Sequence, residues 1–362
     1  MQPIAEPLNL DFAGRLPGFG PGFMAHGPAS MAARLAPLTQ QAGVGAVLTS
    51  RNAAAAKTAI RAIRAVNADA SVLADAHRYS GRNRSIGAAG MDPGWINMQF
   101  QAGCQWALTD SGYIPAADPA ALAAVLGFAA GTDQVITALP LALSWLTDDR
   151  GALLDAITAA GRPVAVMLEH KNDPLGSEAA VAGLIEVLRA DVAVLLLLSD
   201  ISTLGALAHG AAAVSVGTQA RYRHIYPRPA PGDEDGGFTP PPSAFVPALM
   251  SYKHLELIAD LHTRHPDSTL WHCSCVICAG RTLDWITTAV DAPAAAFEHS
   301  VAALAAIAAG LMADPDPATR WQTLCAQAQL RYDEIPTPSG RPRRYPPALR
   351  AWVRATPQPI HR

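Results

Sequence analysis

Residues 192–200 read Val-Ala-Val-Leu-Leu-Leu-Leu-Ser-Asp, seven consecutive apolar residues followed by a serine and an aspartate, and this pattern is the strongest indication of the fold. The run is too short for a membrane span, which needs roughly 18 apolar residues. Its length instead suits a strand that is buried on both faces. Residues 203–209 follow it with apolar side chains at helical spacing. A buried strand that leads into a helix predicts one unit of a parallel sheet.

The same unit recurs along the first two thirds of the chain. The other apolar runs are 22–26, 45–50, 71–75, 106–110, 134–139, 163–169 and 212–216. Helical patterns occupy 53–66, 119–130, 150–160 and 177–189. Eight such units predict a (β/α)8 barrel. An open doubly wound sheet is the alternative, but no Gly-rich phosphate turn follows the first strand. We therefore predict an α/β protein, a (β/α)8 TIM barrel with an appended C-terminal zinc-binding helical subdomain.

The pattern changes after the eighth run, which gives the domain organisation. We assign 1–226 to the barrel and 227–250 to a Pro-rich loop with an acidic run at 233–235. A zinc-binding helical subdomain then covers 251–335, and a basic, Arg- and Pro-rich tail covers 336–362. Within the subdomain, the spacing predicts helices at 251–265, 284–290, 294–312 and 317–331.

Charge and composition limit the functions that the chain can have. The net charge of −3 argues against a protein that coats nucleic acid through bulk electrostatics, and half of the 362 residues are hydrophobic. Local basic clusters can still hold a phosphate backbone. One such cluster is Arg221, Arg223, His224 and Arg228, and the tail carries Arg341, Arg343, Arg344, Arg350, Arg354 and Arg362. The first residues lack the layout of a signal peptide, so we expect a cytoplasmic protein without a membrane segment.

Three of the five cysteines lie within six positions, at Cys273, Cys275 and Cys278. In a reducing compartment, clustered thiols are better explained by metal than by disulfides. Zinc prefers four tetrahedral thiolate or imidazole ligands, and a tight loop can supply three of them. His299, at the start of a predicted helix, is the expected fourth ligand, and His272 is the local competitor. Such a closed site predicts one structural Zn2+ per chain.

A Cys-x-Cys-x-x-Cys cluster, a histidine about two dozen residues later and a preceding eight-stranded barrel together resemble the tRNA-guanine transglycosylases. His299-Ser300-Val301 is similar to the family's histidine motif. The resemblance is strong only over about 273–309, and the barrel matches by the order of its elements. It implies an enzyme that exchanges guanine in a nucleic acid for a 7-deazaguanine base. The nucleic acid would be tRNA or, as for the DNA-modifying relatives, DNA, and a homodimer is expected by resemblance only.

The family's chemistry needs carboxylates at the carboxyl ends of barrel strands. The third strand ends at Asp75, which by the resemblance takes the place of the acid–base aspartate. By strand order, Asp110 corresponds to the base-reading aspartate. The local sequence Asp110-Ser111-Gly112-Tyr113, however, is more similar to the family's third-strand motif. We follow strand order, and assign Ser111, Gly112, Tyr113 and Glu169 to the substrate side of the mouth.

The family's nucleophilic aspartate is expected near the end of the eighth strand, but this position holds Ser215. A serine needs an adjacent base to act as a nucleophile. Asp200 at the end of the seventh strand, or Asp75, can supply the carboxylate instead, and we take these two as the catalytic candidates. Ser215 and Gly217 are then substrate-binding candidates, with Gly217 offering backbone donors.

Basic residues follow the third and eighth strands, where they would rim the barrel mouth and contact phosphates. They are Arg78, Arg82, Arg84, Arg221, Arg223 and His224. Two other functions remain open. One is a catalytically silent subunit that binds nucleic acid or a catalytic partner. The other is a metal-dependent TIM-barrel hydrolase, which would need a second metal site.

Overall fold

The computed structural model describes residues 16–20, 22–228, 241–335 and 344–355. Eight parallel strands form one sheet in the order β3-β2-β1-β8-β7-β6-β5-β4. Their bounds are β1 Phe23–Pro28, β2 Gly45–Thr49, β3 Val72–Asp75, β4 Ala107–Leu108, β5 Val135–Ala142, β6 Val164–Glu169, β7 Val194–Ser199 and β8 Ala213–Gly217. This is the predicted (β/α)8 barrel, and each strand overlaps its predicted run.

Helices follow the strands around the outside. They are α1 Ala32–Gln41, α2 Ala53–Val66, α3 Pro93–Gln101, α4 Pro119–Phe128, α5 Ser144–Thr147, α6 Arg150–Ala160, α7 Glu178–Leu188 and α8 Ser202–Ala208. Local sequence fixes several of their starts. The side chains of Asn52, Asp118 and Ser177 each accept a backbone N–H of the first turn, which satisfies a donor that the helix leaves unpaired.

One side chain, Gln99 of α3, joins the two edges of the sheet. In the described part of the chain, no hydrogen-bonded ladder joins β3 to β4, the two edge strands. The Oε1 atom of Gln99 instead accepts the N–H of Ala74 at 3.0 Å and that of Leu108 at 3.1 Å. Its Nε2 atom donates to the carbonyl of Leu108 at 2.8 Å. Gln99 is fully buried, so this amide satisfies backbone groups that a ladder would otherwise pair.

The C-terminal lobe packs against the barrel. It contains the antiparallel pair β9 Ser243–Val246 and β10 Ser251–His254, followed by α9 Leu255–Arg264, α10 Asp284–Thr287, α11 Ala292–Met312, α12 Pro317–Asp333 and α13 Pro347–Arg354. Helix α11 contacts β9 of the lobe and α8 of the barrel. By length and composition α11 would pass for a membrane span, but 61% of its apolar window is buried in the protein. The burial and the contacts identify it as a core helix.

Three boundaries in this lobe differ from the predictions. The segment predicted as a helix from 251 begins with a strand, because Tyr252 and its neighbours pair with β9 before α9 starts at Leu255. The predicted Pro-rich loop at 227–250 contains β9 itself. The predicted tail contains α13, in which Trp352 is fully buried and donates to Ser202 Oγ at 3.0 Å. Arg341, Arg343, Arg362 and the acidic run 233–235 lie outside the described residues.

Candidate active site and metal centre

The four predicted metal ligands meet in one buried cluster. The ligand atoms of Cys273, Cys275, Cys278 and His299 all lie within 4.8 Å of one another. The cysteines sit on the loop before α10, and His299 projects from α11. Three thiols and one imidazole are the donor set of a closed, structural zinc site. These residues can hold one metal ion, as predicted, and His272, the local competitor, is exposed and outside the cluster.

Groups around the cluster orient its ligands. His299 Nε2 lies 2.7 Å from the carbonyl oxygen of Phe245, which places a proton on Nε2 and leaves the Nδ1 lone pair for a metal. Nδ1 lies 3.1 Å from the sulfur of Cys278 and 3.6 Å from that of Cys275. The indole N–H of Trp285 donates to Cys278 Sγ at 3.3 Å. The imidazole is thus fixed in the tautomer that a metal site requires.

A second polar cluster, the barrel network, fills the carboxyl end of the barrel interior. His26 of β1 is its centre, with Nε2 3.0 Å from Thr49 Oγ1 and 3.2 Å from Asp75 Oδ2. Its Nδ1 atom lies 3.1 Å from Ser215 Oγ. Tyr79 OH donates to Asp75 Oδ2 at 2.6 Å. The network joins β1, β2, β3 and β8.

The carboxyl group of Asp75 is ionised inside this network. Burial by itself would raise the pKa of Asp75, but the hydrogen bond and charge of His26, with smaller contributions from His77 and Tyr79, bring it down to about 2. The His77 N–H also donates to Asp75 Oδ1 at 2.8 Å. Several donors that favour the charged form therefore outweigh the cost of removing the carboxylate from water.

Two residues with left-handed backbone conformations donate to the network. His77 has φ 53° and Leu198 has φ 55°, which is unusual for residues with bulky side chains. The Leu198 N–H donates to Ser215 Oγ at 3.0 Å, and the His77 N–H donates to Asp75. Strained backbone often occurs at functional sites, where the surrounding structure holds it in place.

Ser215 and Gly217 do not line an open pocket. Ser215 has a base beside it in His26, which the sequence did not predict, but the serine is fully buried. A Cβ atom at Gly217 would lie 2.2 Å from the carbonyl oxygen of Tyr222. The glycine thus permits a close approach that brings the Tyr222 ring over His26, with centroids 6.0 Å apart. Tyr222 therefore covers the barrel network.

Asp110 lies beside Arg78 rather than beside Asp75. Its Oδ2 atom is 2.8 Å from Arg78 Nη1, and both carboxylate oxygens accept the Asp92 N–H, at 3.1 and 3.2 Å. The three residues line a cavity of about 500 Å3 at the mouth, together with Arg51, Ala53, Ala76, Asn83, Ser85, Gly94 and Trp95. The Asp110 carboxylate faces this cavity, but it already forms an ion pair with Arg78. Its base-reading role stays a prediction.

The other residues predicted on the substrate side of the mouth contact neighbouring protein groups. Ser111 Oγ lies 2.8 Å from Thr109 Oγ1. The Gly112 N–H donates to the carbonyl oxygen of Gly87 at 2.8 Å. Tyr113 OH donates to Glu169 Oε1 at 2.7 Å, and Glu169 also pairs with Arg84. The contacts of Tyr113 and Glu169 join the ends of β4 and β6.

Asp200 differs from the other strand-end carboxylates because it is accessible. Its side chain is 32% exposed, whereas those of Asp75 and Asp110 are 3% and 4% exposed. Arg223 Nη1 lies 3.8 Å from its Oδ2 atom. Asp173, in the loop after β6, has a pKa raised to about 6 by burial and by the charge of Asp200. Asp173 was not predicted, although its place after a strand is a signal that could have found it.

The five arginines among the predicted phosphate-binding residues fall into two groups. Arg78, Arg84 and Arg223 form ion pairs with acidic residues of the mouth, whereas Arg82 and Arg221 have exposed side chains. His224 differs from the arginines of its cluster. Burial, more than any other cause, lowers its pKa to about 4. The imidazole is therefore neutral at pH 7 and brings no positive charge to a phosphate.

Comparisons with known proteins give only distant structural likenesses. No protein-family model and no curated protein sequence matches the chain. Among solved structures, an HpcH/Hpal aldolase/citrate lyase family protein from Burkholderia cenocepacia is 14% identical, with a TM-score of 0.36, over 55% of this chain and 88% of that one. A putative dihydrodipicolinate synthase family protein from Coccidioides immitis is 12% identical, with a TM-score of 0.37, over 93% and 94%. A 3-hexulose-6-phosphate synthase is 16% identical, with a TM-score of 0.33, over 54% and 88%.

Proposed function

We propose that the chain is a transglycosylase-like enzyme that exchanges guanine for a 7-deazaguanine base in tRNA or DNA, with Asp200 as the nucleophile. The accessibility of Asp200 carries this choice, because an attacking carboxylate must reach the anomeric carbon of a nucleotide. The side chain of Asp200 is 32% exposed at the carboxyl end of β7, the end at which barrel enzymes hold their active sites. The resemblance of the Cys3His lobe to the transglycosylases supports the reaction class.

The proposed reaction has two displacement steps. The Asp200 carboxylate attacks C1′ of the target nucleotide, the C1′–N9 bond breaks, and its electron pair leaves with guanine. Asp173 supplies the proton that the departing base takes up, since its pKa of about 6 keeps a fraction of the group protonated near neutral pH. The incoming base then attacks C1′, gives its N9 proton to Asp173 and releases the Asp200 carboxylate.

Asp75 has a different part in this proposal. Its carboxylate is buried and accepts hydrogen bonds from Tyr79, Thr49 and the backbone of His77. A nucleophile held in this way cannot approach a ribose without breaking the network. Asp75 therefore acts as a buried anion that organises the barrel interior.

Arg221 is the proposed phosphate contact, because it is exposed beside Tyr222 at the mouth. A target base must leave its stack to enter the mouth, so we expect an unpaired or flipped guanine. Phosphate contacts fix the position of the nucleic acid without reading its sequence.

Trapping of the covalent intermediate tests the proposal. The zinc-loaded protein is incubated with tRNA or single-stranded DNA and a 7-deazaguanine base. It is then denatured and examined for a protein–nucleic acid adduct. We expect an adduct with the wild type and none with Asp200→Asn. Asp69→Asn, at an exposed position on the opposite face of the barrel, is the matched control and should keep the adduct. An adduct that survives in Asp200→Asn but disappears in Asp75→Asn would overturn the choice of nucleophile.

A silent nucleic-acid-binding subunit is the second candidate. The observation in its favour is Ser215, which stands fully buried where the resemblance places a nucleophile. This function predicts no adduct and no exchange of labelled guanine, together with binding of the same nucleic acids in a filter-retention assay. The metal-dependent hydrolase lacks such support, because the Cys3His cluster is the only metal-binding group found among the described residues.

A further inference from the structure

The metal centre and the barrel mouth are linked through one residue of the lobe, Phe245. Its carbonyl oxygen lies 2.7 Å from Nε2 of the metal ligand His299. Its N–H donates to Ser300 Oγ at 3.0 Å. Two consecutive residues of α11 therefore hold both backbone groups of one residue in β9. Any shift of the His299 ring that followed loss of a metal would act directly on this strand.

The next step crosses the two-stranded sheet to Tyr252. Phe245 and Tyr252 are directly paired in the ladder between β9 and β10. Their rings meet edge to face, with centroids 5.5 Å apart, a geometry that aromatic pairs favour. Tyr252 is therefore positioned by both its backbone and its side chain.

Tyr252 in turn holds Arg223, which belongs to the barrel. The guanidinium carbon of Arg223 lies 3.6 Å from the centroid of the Tyr252 ring. The contacts of Arg223 with barrel groups are 3.8 Å to Asp200 Oδ2 and 3.4 Å from Nε to the carbonyl oxygen of Gly217, both long for an ion pair and a hydrogen bond. The stacked ring is thus the best-formed of these contacts, and a planar guanidinium stacks on such a face in a way that an ammonium does not.

We infer that Tyr252 is a positioning residue through which the metal centre fixes Arg223 beside Asp200 at the barrel mouth. The placement of Arg223 stands independently of any reaction. Its effect on Asp200 as a nucleophile rests on the proposed function. A bound metal would tie His299 of α11 to the cysteine loop, and the contacts of His299 and Ser300 with Phe245 would then hold β9 in place. Strand β9 pairs with Tyr252, and the Tyr252 ring keeps the guanidinium over the mouth.

Hydrogen exchange measured by mass spectrometry tests the link without a substrate. The informative peptide covers 220–226, in which the Ile225 N–H donates to Leu168 at 2.9 Å. Tyr252→Leu removes the aromatic face, and Tyr252→Phe keeps it as the matched control. In the zinc-loaded proteins, we expect exchange in 220–226 to be about two- to fivefold faster in Tyr252→Leu, as for loss of a partly exposed cation–π contact. Tyr252→Phe keeps the stacked ring and loses only the hydroxyl, which also interacts with Arg223, so its exchange should stay closer to that of the wild type than to that of Tyr252→Leu.

Two further measurements secure the interpretation. Arg223→Met removes the guanidinium that stacks on Tyr252 but leaves the lobe intact. It should therefore speed exchange in 220–226 and leave the exchange of 243–254 and the zinc content unchanged. Removal of zinc from the wild type should speed exchange in both peptides. The inference is overturned if zinc-loaded Tyr252→Leu exchanges like the wild type, or if zinc removal opens 243–254 without a change in 220–226. If Tyr252→Leu does not retain zinc, the result for Arg223→Met decides.

A kinetic measurement separates this link from the proposed function. If the protein catalyses the proposed exchange of bases, Tyr252→Leu should lower kcat more than it raises KM. Tyr252→Phe should have a kcat close to that of the wild type. Faster exchange of 220–226 in a protein without transglycosylase activity would support the positioning role and reject only the proposed reaction.

Discussion

His26 Nε2 lies 3.2 Å from Asp75 Oδ2, and both side chains are buried inside the barrel. The two residues come from different strands, β1 and β3, so their contact also ties the strands together across β2. A buried charge is costly unless other groups compensate it, and the Asp75 carboxylate accepts hydrogen bonds from Tyr79, Thr49 and the His77 N–H. This pair gives the first test of the barrel network.

Asp75→Asn should destabilise the protein by about 3 kcal/mol, because it leaves the donors around this position facing an uncharged amide. Urea denaturation at pH 7 measures the change as a lower midpoint with an unaltered slope. Asp69→Asn, an exposed carboxyl on the other face of the barrel, should leave the midpoint unchanged. Equal midpoints for wild type and Asp75→Asn would show that the network contributes little to stability.

The same carboxyl group predicts a dependence of stability on pH. Its pKa in the folded protein is about 2, below the ordinary value of 3.8, so the folded state binds this proton less readily than the unfolded chain. The stabilisation is therefore complete above about pH 4 and is lost as the pH falls towards 2. The difference in unfolding free energy between wild type and Asp75→Asn should shrink over this interval. If the difference in unfolding free energy stayed constant between about pH 4 and pH 2, the pKa of Asp75 would not be lowered in the folded protein.

Elemental analysis should find one zinc ion per chain in the purified protein. Cys278→Ser or His299→Ala should abolish or greatly reduce it, because each removes a ligand from a closed tetrahedral site. Cys104→Ala is the matched control, since this buried cysteine lies outside the cluster and should leave the zinc content unchanged. A protein with a full complement of zinc after His299→Ala would have its fourth ligand elsewhere.

Asp200→Asn should lower the pKa of Asp173 from about 6 towards the usual value for aspartate. The reason is that the charge of Asp200 is one of the two causes that raise it, although burial is the larger one. Carbon-13 NMR titration of labelled aspartate carboxyls measures the shift, with Asp69→Asn as the control. An unchanged Asp173 would mean that burial alone sets its pKa.

Arg221→Ala should weaken nucleic acid binding and reduce its salt dependence. Each lost phosphate contact lowers the slope of log K against log salt by roughly 0.7 for a single strand and 0.9 for a duplex. Arg320→Ala, which removes an exposed arginine of α12, should leave both affinity and slope as they are. The same slope in Arg221→Ala as in the wild type would remove Arg221 from the interface.

The sequence predicts those features that depend on local pattern. Continuous apolar runs such as 192–200 predicted all eight strands of the barrel, and the spacing of Cys273, Cys275 and Cys278 predicted the metal cluster. Strand β10 was harder to predict, because its four residues are followed directly by α9 with no intervening turn. Periodicity therefore could not separate it from the helix.

The barrel network could not be predicted in the same way. His26 contacts Thr49, Asp75 and Ser215, which are 23, 49 and 189 positions away in the chain, and no local pattern relates them. A histidine after a short apolar run is by itself ambiguous. The contacts become visible only when the sheet order places β8 next to β1 and β2 next to β3.

Gln99 has a consequence for how the barrel opens. Its Oε1 atom is the single acceptor for the N–H groups of Ala74 and Leu108, which lie on the two edges of the sheet. A ladder can fray one bond at a time, but two amides that share an acceptor lose it in the same event. We therefore expect the amide protons of Ala74 and Leu108 to exchange with solvent at matching rates, as one cooperative unit built from distant parts of the chain.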